Sequence, residues 1–148
     1  MDETTPSNDG ERADGDGADF SVERMVARNR EFGATFDLAE LAAAPSRRVA
    51  IVTCMDARLD PLVALGLDVG DAHVIRNAGG VVTDDVIRSL CLSQRSLGTR
   101  EIVIMHHTRC GLLGVDEAGF RADLEREVGV KPNWSLEGFD DVDEDVRQ

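Results

Sequence analysis

The sequence predicts a three-layer α/β fold in which a central, mainly parallel β-sheet is flanked by helices, and three observations carry that reading. Residues 48–53 (RVAIVT), 72–76 (AHVIR) and 101–105 (EIVIM) are short, mostly apolar runs rich in β-branched residues, the first with the pattern of a strand buried on both faces. Segments of helical length and periodicity separate these runs, and strands that alternate with helices imply parallel βαβ units. Each of the three runs leads into polar or glycine-rich, chemistry-bearing residues, as expected where ligands gather at the carboxyl ends of parallel strands.

The elements follow in order. Residues 1–19 mix Asp, Glu, Gly, Ser and Pro with almost nothing apolar, so they cannot offset their own ordering entropy; a disordered acidic tail is expected there, and one domain over 20–148. A helix is expected from Ser21, a plausible N-cap, with Glu23 near the positive dipole end and Val22, Met25, Val26 and Phe32 on one stripe. A shorter helix is expected around residues 38–44. The first strand ends at Cys54, and a short helix within 60–67 leads to the second strand, which runs into Asn77-Ala78-Gly79-Gly80. Thr83 can cap a helix that opens with Asp84 and Asp85 and turns Val86, Ile87, Leu90 and Leu97 inward. After the third strand come a helix near 117–127, a loop with Pro132 and Trp134, and a final helical pattern with Val142 and Val146 at i, i+4 spacing.

Composition narrows the function. With 16 basic against 29 acidic residues the formal net charge is -13, a field that repels nucleic acid and anionic membranes. Lys131 is the only lysine and Asp is abundant, a bias that suits a high-salt cytoplasm where ions screen self-repulsion. No apolar run approaches the roughly 18 residues needed to cross a bilayer, and the first residues lack an export signal, so a cytoplasmic location is expected. Three cysteines make an odd number, and thiolates for a metal are a better expectation than a disulfide framework.

His107 and Cys110 form a His-x-x-Cys turn just after a strand, and Cys54 ends a strand expected to lie beside it. Two thiolates and an imidazole suit one zinc ion, and three protein ligands leave a fourth position open, the arrangement of a catalytic site. Asp56 and Arg58 follow Cys54 at alternate positions, so a carboxylate and a guanidinium can pair bidentately beside the metal. Asp56 could then orient a nucleophile or, released by Arg58, become a fourth ligand. Cys91 lies among Ile87, Leu90 and Leu92 and reads as core packing, while His106 is left to a structural or supporting task and His73 receives none.

Cys54-Met55-Asp56-Ala57-Arg58, Arg76-Asn77-Ala78-Gly79-Gly80 and His107-Thr108-Arg109-Cys110-Gly111 resemble the three signature segments of the β-class carbonic anhydrases, and the likeness runs from about Phe20 to the end of the chain. The first and third segments together are highly specific, whereas the Asn-Ala-Gly-Gly loop alone is weak. The resemblance implies a β-carbonic anhydrase-like fold with one zinc ion per chain on Cys54, His107 and Cys110, an Asp56/Arg58 catalytic dyad, and an apolar carbon dioxide pocket bordered by Gly79 and Gly80. It further implies reversible hydration of carbon dioxide to bicarbonate, and a homodimer or higher oligomer with the N-terminal helix packed on a neighbouring subunit. The compact prokaryotic branch is the nearest match, although members normally carry further C-terminal strands, and the expectation here is a form without them. Two rival readings stay open. One is a non-catalytic zinc or bicarbonate module on the same fold; the other is a cysteine-nucleophile enzyme, for which three residues between Cys54 and Arg58 give a short arc of backbone donors.

Overall fold

Residues 21–147 are described by a computed structural model, so the acidic segment 1–19 lies outside the described residues. The chain forms two units, one up to Glu40 and the other from Leu41 onward. In the first unit, helix α1 spans Val22–Thr35, and the Ser21 hydroxyl accepts from the Arg24 N–H at its N-terminus as the sequence implies. Its apolar residues are open to solvent, with Val22 68% and Phe32 59% exposed.

The second unit is built on a three-stranded parallel sheet in the order β2-β1-β3, with β1 Val49–Cys54, β2 Ala72–Asn77 and β3 Glu101–Met105. Helices α2 (Pro61–Leu65), α3 (Asp84–Leu97), α4 (Glu117–Val128) and α5 (Val142–Asp145) follow the strands. The central strand β1 is hydrogen-bonded on both sides, and Ala50, Ile51, Val52 and Thr53 are fully buried. One core cluster packs Ala50 and Val52 against Val86 and Leu90 of α3, with Ile75 of β2 at its margin. Register then does the positioning: Cys54 pairs with Asn77, and Thr53 pairs with Met105, so the residues after β3 emerge beside Cys54.

Three local expectations are corrected. No helix forms over 38–44; Pro45 disfavours helical backbone in the residue before it, and the Ala43 carbonyl lies 2.8 Å from His73 Nε2 instead. Cys91 is exposed, because the buried face of α3 runs through Val86, Leu90 and Ser93. That helical phase also turns Ile87 outward, 49% exposed. Thr83 does occupy the N-cap of α3, although its side chain makes no capping bond. His73, given no task by the sequence, joins a buried polar chain: its Nδ1 lies 2.7 Å from Ser93 Oγ, which lies 2.7 Å from Thr99 Oγ1. This links β2 to the C-terminal end of α3.

The entry to the sheet is fixed by Asp71. Its carboxylate accepts from Ser46 Oγ at 2.7 Å, Arg47 Nε at 2.9 Å and the Asp68 N–H at 3.1 Å, joining the lead-in to β1 to the turn before β2. The Ser46 hydroxyl, the Asp68 N–H and then Arg47 pull its pKa down from 3.8 to about 2. A depressed carboxylate pKa contributes stability that is present above the ordinary value and lost as pH falls through the folded one. Replacing Asp71 with Asn is therefore expected to lower the thermal midpoint by an amount that is full above pH 3.8 and shrinks as pH falls through about 2, checked by parallel melts of both proteins.

Candidate metal centre

The ends of β1 and β3 bring Cys54, His107 and Cys110 together, with one donor atom from each lying within 4.8 Å of the others. Cys54 closes β1, and the other two sit on the turn that follows β3. The sulfurs stand 3.9 Å apart. Two thiolates on one tetrahedral zinc, with bonds of about 2.3 Å, would stand about 3.8 Å apart. His107 Nδ1 lies 3.0 Å from the Thr108 carbonyl, which can only accept, so Nδ1 carries the proton and Nε2 presents a lone pair. Nε2 is buried and has no hydrogen-bond partner among the described residues, yet it faces Asp56 Oδ2 at 3.7 Å. Two sulfurs and an imidazole lone pair thus converge beside the Asp56 carboxylate, and a soft-to-borderline divalent ion suits these three donors.

Electrostatics distinguishes the two thiols. Burial pushes the Cys54 pKa up, and the backbone N–H groups of Asp56 and Gly79 act against it. Burial raises Cys110 too; the Leu112 N–H offsets part of this, and the nearby Cys54 and Asp56 add to it.

Asp56 and Arg58 form the expected fork, with Nε on Oδ1 at 2.9 Å and Nη2 on Oδ2 at 2.6 Å. This guanidinium, helped by the Arg58 N–H, holds the Asp56 carboxyl well below the usual carboxylate range. A second arginine steadies the loop from β2: Arg76 Nε donates to the Cys54 carbonyl at 2.9 Å and Nη2 to the Asp56 carbonyl at 2.7 Å.

Gly79 and Gly80 cross the end of β1 with φ of 80° and 76°. A Cβ on Gly80 would stand 2.8 Å from the Cys54 nitrogen, so only glycine allows this approach. Asn77 Nδ2 closes the loop on the Val81 carbonyl at 2.8 Å.

The sequence reading missed Phe139. It is 7% exposed and packs with Cys54, Val81 and Cys110, with Leu59, Leu112 and Val142 around them. Its backbone is tied to the cysteine turn, since the Gly114 N–H donates to the Phe139 carbonyl at 2.8 Å. His106, just ahead of the ligand turn, has a structural place. Its ring lies edge-on to Phe139 with centroids 5.1 Å apart, and Nε2 is 3.3 Å from Asp145 Oδ2.

A parallel α/β sheet with a thiol, imidazole and thiol gathered at its carboxyl end, beside a carboxylate held by arginine, defines the class: an α/β scaffold with a three-donor group that could hold a metal ion. A carbonic anhydrase family model matches residues 49–142. The chain is 53% identical over 123 residues to β-carbonic anhydrase 1 of Mycobacterium tuberculosis, covering 83% of this chain and 75% of that protein. The crystal structure of the Streptococcus mutans carbonic anhydrase superposes with a TM-score of 0.78 at 47% identity, covering 84% of this chain and 76% of that one. A carbon disulfide hydrolase of Saccharolobus solfataricus is 48% identical over 93 residues, 62% of this chain and 44% of that protein. The chain belongs to the β-class carbonic anhydrases, lyases whose family function is the hydration of carbon dioxide.

The donor geometry generates a direct expectation. Purified protein should hold one zinc per chain by elemental analysis, and Cys54→Ser should remove it; full retention of zinc by that variant would contradict the ligand assignment.

Proposed function

We propose that this chain reversibly hydrates carbon dioxide to bicarbonate and a proton, with zinc held by Cys54, His107 and Cys110. The observation that carries the reading is the buried, unpartnered His107 Nε2 beside two cysteine sulfurs. When bound, zinc supplies the Lewis acidity that lets water deprotonate near neutral pH, a magnitude known from three-histidine zinc sites of carbonic anhydrase. Asp56, ionised throughout the working range, can only accept hydrogen bonds. Its Oδ2 would therefore accept a hydrogen bond from the oxygen nucleophile and orient it toward the carbon of the substrate. Arg58 keeps the carboxylate in that orientation. The substrate has no net dipole, and the apolar side chains of Val81 and Phe139 beside the sulfurs, bordered by the Gly79 and Gly80 backbone, suit it. His107 and Asp56 keep 16% and 15% of their side-chain surface open, a route for bicarbonate and the released proton to reach solvent.

We further infer a homodimer or higher homo-oligomer in a high-salt cytoplasm. Ile87 and Leu92 on α3 and Ile102 on β3 are 49%, 55% and 41% exposed, apolar surface suited to a second copy. The net charge of -13 supports the salt requirement, and three free cysteines fit a reducing compartment. No described helix is long and apolar enough to cross a membrane.

Two measurements test these readings. Asp56→Asn should retain zinc and lower kcat/KM for carbon dioxide hydration by about 100-fold in stopped-flow assays; unchanged turnover would sink the role given to Asp56. Sedimentation velocity should find an oligomer in molar salt that dissociates or unfolds in dilute buffer, and a monomer in molar salt, or behaviour indifferent to salt, would contradict the assembly and halophilic readings respectively.

A further inference from the structure

The turn that carries His107 and Cys110 adopts a backbone its sequence does not favour. Arg109 has a φ of 58°, in the left-handed region that glycine enters freely and that a long side chain seldom adopts. Residues persist there only where the surroundings over-determine them, and such positions cluster at ligand clamps. The Arg109 carbonyl has such a surrounding, since Arg58 Nη2 donates to it at 3.1 Å. The same nitrogen spends its other N–H on Asp56 Oδ2 at 2.6 Å, while Nε engages Oδ1 at 2.9 Å. The carboxylate therefore fixes the plane of the guanidinium, and the guanidinium in turn fixes the carbonyl. Cys110 comes next in the chain, with its sulfur 3.9 Å from that of Cys54. A return of Arg109 to an ordinary φ would rotate Cys110 out of this position.

We propose that Arg58 is a positioning residue for the metal-ligand turn: by donating to the Arg109 carbonyl it holds the left-handed backbone that places Cys110 with Cys54 and His107. One guanidinium thus couples the Asp56 carboxylate to the geometry of the metal donors. This rests on the metal centre proposed above.

A double-mutant cycle read by zinc affinity tests it. Wild type, Arg58→Lys, Arg109→Gly and the double variant are titrated against a chromogenic chelator, with folding checked by circular dichroism. Lysine keeps the positive charge beside Asp56 but lacks the planar fork that serves both acceptors. Arg58→Lys should weaken zinc binding about tenfold with Arg109 present, and less than about threefold with glycine there, because glycine holds the left-handed turn without a clamp. Equal losses in the two backgrounds would overturn the proposal. Arg109→Gly alone should bind zinc within about threefold of wild type. A larger loss would assign the site the Arg109 side chain rather than its carbonyl, and this variant decides the matter even if Arg58→Lys does not fold. Stoichiometric zinc with additive losses contradicts the clamp alone, whereas absence of zinc from wild type contradicts the metal centre and the clamp with it.

Discussion

The site depends on β1 being paired in parallel with a strand on each side. That pairing fixes one register across three segments distant in sequence, so that Cys54, the loop after Asn77 and the turn after Met105 all leave the sheet at the same end. A one-residue slip in either pairing would turn the affected side chains to the opposite face. The packing of Ala50 and Val52 on Val86 and Leu90 stands against such a slip, because a change of face would undo it and break the bond from Thr53 Oγ1 to the Met105 carbonyl at 2.7 Å.

Arginine then refines what the sheet places coarsely. Arg76 reaches from β2 to two carbonyls of the Cys54 to Asp56 segment, and Arg58 reaches from that segment to the turn after β3. Each guanidinium spends several fixed N–H donors on different acceptors, which an ammonium group cannot do in one plane. In a chain with 29 acidic residues and one lysine, cation use is concentrated in the residue type that can tie loops together. The apolar contact of Phe139 with the cysteines serves the same centre in another way, by excluding water and strengthening the electrostatics around the donors.

Much of this was legible in the residues themselves. The Cys-x-Asp-x-Arg and His-x-x-Cys spacings are local, and each follows an apolar run, so both the donors and their place at strand ends could be read without coordinates. What escaped was long-range or conformational. Phe139 reaches Cys54 and Cys110 only through the return of the chain after α4, and nothing in the polar segment around it marks it as part of the site. The left-handed φ of Arg109 has no signature in an arginine. On α3, Ile87 and Cys91 are as apolar as Val86 and Leu90, so composition alone could not set the phase of the buried face. The alanine-rich stretch before Pro45 reads as helix by propensity, and its contacts with the sheet decide otherwise.

The central claim is that two sulfurs and one imidazole nitrogen share a single zinc ion. X-ray absorption at the zinc edge of the purified protein measures this directly. The account predicts two sulfur neighbours at about 2.3 Å and one or two light atoms at about 2.0–2.1 Å. A shell of oxygen and nitrogen alone, or of four sulfurs, would contradict it.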